Sequence, residues 1–198
     1  MTHSPPTQSF KRAVLFVAVL NLAYFGVEFA AAAAIGSVSL FADSIDFLED
    51  ASVNLLILVA LAWSPGARAR VGMLLAATLM FPAVATLWTA WGQFTSPAPP
   101  EPIALTLTGG GALVVNLACA FVLARHHKTA GSLSKAAFLS ARNDAIANIA
   151  IIAAGLLTAA TLSIWPDLIV GLAIAAMNAD AARQVWFAAH REHRQAES

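Results

Sequence analysis

Six stretches of the chain are almost wholly apolar, at approximately 13–36, 39–63, 71–92, 103–124, 134–160 and 166–188. A helix that crosses the hydrocarbon core needs about 20 such residues. Turn-forming residues fill the gaps: Gly36-Ser37, Ser64-Pro65-Gly66, Ser96-Pro97-Ala98-Pro99-Pro100, the polar run from His126 to Ser132, and Ser163-Ile164-Trp165-Pro166. Backbone groups in lipid must be paired internally, so each run is a helix or a barrel strand. Their length and lack of apolar/polar alternation exclude strands. The pattern predicts an all-α, polytopic membrane protein of six transmembrane helices. It divides the chain into an N-terminal tail over 1–12, a transport domain over 13–188 and a short tail over 189–198, with no soluble C-terminal domain. Pro82, inside the third run, predicts a local kink.

Charge gives this pattern a direction. Lys11 and Arg12 precede the first run, Arg68 and Arg70 follow the second, Arg125, Lys128 and Lys135 lie between the fourth and fifth, and Arg183, Arg191 and Arg194 close the chain. With six crossings all four groups fall on one side, and the opposite loops carry no Lys or Arg. The positive-inside rule makes both termini cytoplasmic. Trp63, Trp88, Trp91, Trp165 and Trp186 sit at the ends of the runs, where an interfacial aromatic belt belongs. The first run is longer than the roughly 7–15 residues of a signal-peptide core and contains Asn21 and Glu28, so it reads as a retained helix.

Composition agrees and adds exclusions. The chain is 59% hydrophobic and 11% charged, against about a quarter charged in soluble domains. A formal net charge of zero and the lack of a basic stripe with aromatics argue against nucleic acid. One cysteine, Cys119, allows no internal disulfide and reads as a packing residue.

The candidate chemistry is acid inside the apolar runs. Glu28 lies in the first, Asp43, Asp46, Glu49 and Asp50 in the second, and Asp144 in the fifth. Ionisable residues there cost about 2.5–3.5 kcal/mol each on insertion scales and mark ion pathways or proton relays. Protonated carboxyls bonding between helices are the plainer reading, and they suit one lone acid better than six. At about 100° per residue, Ser39, Asp43, Asp46, Asp50 and Asn54 fall in one narrow stripe. Asp46 and Asp50 stack four apart and repel, a conflict that a divalent cation removes. Ser140, Asp144 and Asn148 form a matching face on the fifth helix. Asp46, Asp50, Ser140 and Asp144 therefore make a four-oxygen metal site at mid-membrane. Asp43, Glu49, Glu28, Asn143 and Asn148 are candidate accessory groups. No HExxH pattern points to an intramembrane hydrolase, and the chain does not read as an enzyme.

The segment Gly36-Ser37-Val38-Ser39-Leu40-Phe41-Ala42-Asp43-Ser44-Ile45-Asp46-Phe47-Leu48-Glu49-Asp50 resembles the second-helix signature of the cation diffusion facilitator (cation efflux) family. Ala137 to Asp144 is similar to that family's fifth-helix segment, which usually reads His-x-x-x-Asp. Asn21, Glu28, Pro97 to Pro100, Asn116 and Trp165-Pro166-Asp167 sit where the family has like residues. The resemblance covers the whole chain. It implies proton-coupled export of Zn, Co, Cd, Fe or Mn from the cytoplasm through Asp46, Asp50, Ser140 and Asp144. It also implies a homodimer in the inner membrane of a bacterium, and a form truncated before the family's cytoplasmic domain. The alternative is a non-transporting membrane metal sensor or partner subunit of the same fold.

This sequence departs from the family's pattern by having no imidazole at the site. Ser140 stands where His is common, and Asp46 where many zinc members have His. Oxygen-only ligands suit Mn or Fe(II), whereas imidazole favours Zn, Cu and Ni. Ser140 is either a weak ligand or none, which would leave three carboxylates with water or Asn143. Arg142 points away from the Asp144 face and is expected either to pair with Asp180 or to snorkel to the interface. His126 and His127 lie beside Lys128 on a cytoplasmic loop, as solvated groups or as a metal-delivery point.

Overall fold

The computed structural model describes residues 8–60, 83–125 and 127–196, and side chains over 8–56, 58, 83–125 and 143–180. These residues form six helices: α1 Gln8–Ile35, α2 Val38–Ala60, α3 over 83–95, α4 Pro102–Ala124, α5 His127–Thr161 and α6 Trp165–Ala196. Several run past the apolar stretches. α1 opens at Gln8, inside the expected tail, α5 at His127 rather than near 134, and α6 continues to Ala196 rather than stopping near 188. Hydropathy marks the part of a helix that meets lipid, whereas helical hydrogen bonding goes on into polar residues until a cap or turn stops it. Pro82 and its expected kink, Trp63 and His126 lie outside the described residues, as do the side chains of His127, Lys128, Ser140, Arg142 and Trp186.

Among the described residues three helical segments are both long and apolar enough to cross a membrane: Gln8–Ile35, Pro102–Ala124 and Asn143–Thr161. α2 matches them in length, but its four acids break the apolar character that a crossing segment normally keeps. Large apolar side chains turn outward, as lipid-facing surfaces require: Trp88 is 77% exposed, Leu107 71% and Val114 67%. A buried core of Ala32, Leu40, Phe41, Ala42, Leu105, Ile151 and Ile174 draws on α1, α2, α4, α5 and α6.

Three connections meet at one end of the bundle. α1 stops where Gly36 takes φ +66° and Ser37 N donates to Ala32 O at 3.2 Å. This left-handed turn is open to glycine at no steric cost. Ser37 then caps α2, its Oγ accepting from Leu40 N at 3.2 Å. Gln93, near the end of α3, donates to Gly36 O at 3.0 Å and accepts from Ala98 N at 3.3 Å, tying the α1–α2 turn to the α3–α4 loop. Glu101 caps α4 by accepting from Ile103 N and Ala104 N ahead of Pro102 at the first turn. α5 ends on Leu162 at φ 51°, and Phe94 of α3 meets Trp165 of α6 edge-on at 6.2 Å. The connecting segments 36–37, 96–101 and 162–164 at this end carry no Lys or Arg, whereas Lys11, Arg12 and Arg125 lie toward the other end.

Candidate metal-transport site

α2 carries most of the site, and two neighbours hold it along its length. One stripe of α6, formed by Asp167, Gly171, Ile174 and Asn178, runs against it. Asn178 Nδ2 donates to Ala42 O at 3.2 Å. Gly171 leaves no room for a side chain, since a Cβ there would stand 2.6 Å from Ser39 N and from the Val38 carbonyl carbon. The other flank of α2 faces α1, where Tyr24 packs on Phe47 at 5.0 Å while donating its hydroxyl to Thr108 O of α4 at 2.6 Å.

The acids converge as the stripe predicts. Asp43 is fully buried, and Asp46, Glu49, Asp50 and Asp144 are half-buried. Asp46 lies within electrostatic reach of Asp43, Asp144, Glu49 and Asp50. Asp144, from α5, faces Asp50, Asp43 and Glu49 in the same way. Glu28, from α1, is fully buried and lies against Asp43. Three helices thus contribute six carboxyls to one neighbourhood. Among the described residues no three acidic, histidine or cysteine side chains stand close enough to form a ready-made metal cage. Like charges without a counter-charge keep apart. The fourth expected ligand, Ser140, lies outside the described side chains.

Two of the α2 acids are held by amides, and each amide is oriented by a group on α4. Asn148 Nδ2 donates to Asp43 Oδ2 at 2.5 Å, while its Oδ1 accepts from Asn116 Nδ2 at 2.9 Å. Asn21 Nδ2 reaches Asp50 Oδ2 at 3.5 Å, while its Oδ1 accepts from the Cys119 thiol at 3.4 Å. Asn116 and Cys119 are one turn apart on α4, and Asp43 and Asp50 are two turns apart on α2. An amide donates from one end and accepts at the other, so whichever group takes its oxygen aims its nitrogen. Asn148, a candidate accessory ligand, has its oxygen occupied and presents a donor instead. Cys119, expected only to pack, also sets the direction of Asn21. Asn143 is exposed, and Asn54, though on the stripe, turns its amide to the backbone Asp50 O at 2.7 Å. The proposed Arg142–Asp180 pair rests on an Arg142 side chain outside the described ones; Asp180 itself is exposed.

Ser39, the first residue of the stripe, belongs to a different cluster. Asp167 Oδ1 accepts from Ser37 Oγ at 2.7 Å, Ser39 Oγ at 2.6 Å and Ser39 N at 3.2 Å, and Oδ2 accepts from Val38 N at 2.7 Å. A carboxylate from α6 thereby closes the N-terminus of α2, where free backbone donors and the helix dipole both favour an anion. By contrast Glu28 Oε1, Glu28 Oε2 and Asp43 Oδ1 are buried with no donor among the described residues.

The amide pairs and the Asp167 junction were the parts that sequence reasoning missed. The physical signal for them in the sequence is polarity in an apolar run: Asn21, Asn116 and Asn148 carry full hydrogen-bonding groups into lipid and must find partners there. Asp167, in the first turn of an apolar helix, carries the same signal.

Comparison with individual curated proteins gives no match. The model of the cation efflux transmembrane domain matches residues 14–189, nearly the whole chain. A bundle whose second and fifth helices bring acids together inside an apolar shell is thus found in a chain that belongs to the cation efflux family of membrane metal-cation transporters.

Proposed function

We propose that this protein exports a divalent cation from the cytoplasm in exchange for protons, with Asp46, Asp50 and Asp144 as the ligands that select and release it and Ser140 as a fourth, weaker one. The observation that carries this reading is the approach of Asp144 of α5 to Asp46 and Asp50 of α2 within a bundle whose outer surface is apolar. Carboxylates brought together there repel one another, and a divalent cation or protons neutralise them. The same groups can serve both ions in turn, because metal binding displaces protons from its ligands. In the cycle, metal enters from the cytoplasmic side between α2 and α5 and displaces protons. The helices then rock so that the site faces outward, and protons from that side reload the carboxylates and release the metal. The connections without Lys or Arg, gathered at the Asp167 end, support placing that end away from the cytoplasm. The all-oxygen ligand set favours Mn(II) or Fe(II) over Zn(II). A bacterial inner membrane and a homodimer complete the reading.

Purified protein in liposomes tests it. Wild type takes up Mn(II) and moves protons the other way. Asp50→Ala and Asp144→Ala fall to the background of protein-free vesicles while keeping their helical circular dichroism. Wild-type uptake rates in either variant would reject the ligand assignment. Failure of the wild type to move any metal in the panel Mn, Fe, Co, Zn and Cd would favour a sensor or partner subunit instead.

A further inference from the structure

Packing divides five of the helices into two groups. α2 and α6 meet main chain to main chain, since the Gly171 position stands against Ser39 N and the Val38 carbonyl carbon with no room for a methyl group. On one side of that point the Asp167 carboxylate takes four donors from residues 37–39, and on the other Asn178 Nδ2 holds Ala42 O. α1 follows α2 through the turn at Gly36 and through the ring contacts Tyr24–Phe47 and Phe29–Phe41, at 5.0 and 5.2 Å. α4 and α5 are joined in the same close manner. A Cβ on Gly155 would lie 3.1 Å from Thr106 N, and one on Gly109 would lie 2.7 Å from Ile151 Cγ2. Two turns further along, Asn116 bonds Asn148. Helices interlocked this tightly move as a unit. Between the groups an apolar core is shared, and the polar contacts run through side-chain ends: Asn148 to Asp43, Tyr24 to Thr108 O and Cys119 to Asn21. Such single bonds re-form after a small slide of one helix past another. The same seam parts the transport ligands. Asp46 and Asp50 belong to the first group and Asp144 to the second, facing one another across it.

We propose that α1, α2 and α6 move as one rigid body against α4 and α5, and that the cation closes the seam between them by bridging Asp46 and Asp50 to Asp144. The inference rests on the transport reading above and deepens it by naming the helices that rock. A ligand shifts a conformational equilibrium only by its differential affinity for the two states, and only the closed seam offers the cation carboxylates from both bodies. α6 brings no ligand of its own; clasped to α2 through Asp167, Gly171 and Asn178, it carries the acid-bearing helix with it. The chain passes from one body to the other at 162–164, beside the Asp167 joint. Hinges are a few residues at element ends that absorb a change in φ and ψ, and this turn, with Leu162 at φ 51°, is placed to be one.

Distances between pairs of spin labels on the full chain in nanodiscs test the two bodies. Zn(II) and Cd(II) serve as diamagnetic probes, with their binding checked by calorimetry on the same samples. Cys119→Ser keeps a donor toward Asn21 and leaves only introduced thiols to label. Val53→Cys with Met177→Cys reports on α2 against α6, Leu107→Cys with Ile146→Cys on α4 against α5, and Val53→Cys with Ile146→Cys on the seam; all four positions are exposed on the outer surface of the bundle. On binding metal the seam distance should change by about 2 Å or more, and each internal distance by less than about 1 Å. Asp167→Asn keeps the shape but withdraws one acceptor from the start of α2. It should broaden the α2–α6 distance distribution of the metal-free protein and leave the α4–α5 distribution as it was. Internal distances that change as much as the seam distance would overturn the proposal, as would a seam that bound metal does not move or an α2–α6 distribution indifferent to Asp167→Asn. Protein that closes the seam on metal yet transports none would sink the transport reading alone. Failure to bind either ion would sink the ligand assignment, and the proposal with it.

Discussion

Asp167 and Glu28 are both withdrawn from solvent, 1% and 0% exposed, yet among the described residues one has four donors aimed at it and the other has none. At the Asp167 end the chain supplies two serine hydroxyls and two backbone amides from the start of α2, and the carboxylate becomes a structural joint. In the body of the bundle the described residues supply a single amide to Asp43 and nothing to Glu28. Burial alone therefore does not make an acid a structural joint. The supply of donors does, because a buried charge is stable only where its hydrogen bonds are made.

Substitution can break this contrast. The largest effect is expected at the joint. Asp167→Ala strands the hydroxyls of Ser37 and Ser39 and two amides of α2, a loss of about 2–3 kcal/mol, read as a lower unfolding midpoint in detergent. Glu28→Gln removes no donor–acceptor pair that the fold relies on and should lower stability by less than about 1 kcal/mol. Equal destabilisation by the two would erase the distinction. A smaller effect is expected at Asn116→Ala, which frees Asn148 to turn over. Asp43 then loses its fixed donor, and initial metal uptake should drop about three- to tenfold, in line with one hydrogen bond of about 1 kcal/mol. Ligand identity gives the smallest change in rate but the most specific. Ser140→His adds an imidazole and should shift the preference in a Mn/Zn competition toward Zn; an unaltered ratio would place residue 140 outside the ligand set.

The sequence was informative where a property repeats along one helix. Apolar runs imply crossing helices because lipid leaves the backbone no other option. The 100° count put Asp43, Asp46 and Asp50 on a common face, and α5 does bring Asp144 to them. The same count put Ser39 on that face as well, but its partner is a different carboxylate, Asp167. Ser39 sits at the first turn of α2, where free amides attract a carboxylate from α6, and end effects outweigh the wheel. The partnerships of Asn21, Asn116, Asn148 and Cys119 were illegible for a related reason. Each joins helices distant in sequence, and which end of an amide faces which neighbour is decided by a third side chain.

The Asp167 joint also bears on how the protein is made. Ser37 and Asp167 are 130 positions apart, so the N-terminus of α2 is synthesised long before the residue that completes it. At ribosomal speeds of about 5–20 residues per second, the delay is on the order of ten seconds. Through that interval the first helical hairpin stands in the bilayer without the carboxylate that serves Val38 N and Ser39 N. Docking of α6 supplies it, so the acid-bearing helix takes its final seat only after α6 has been made.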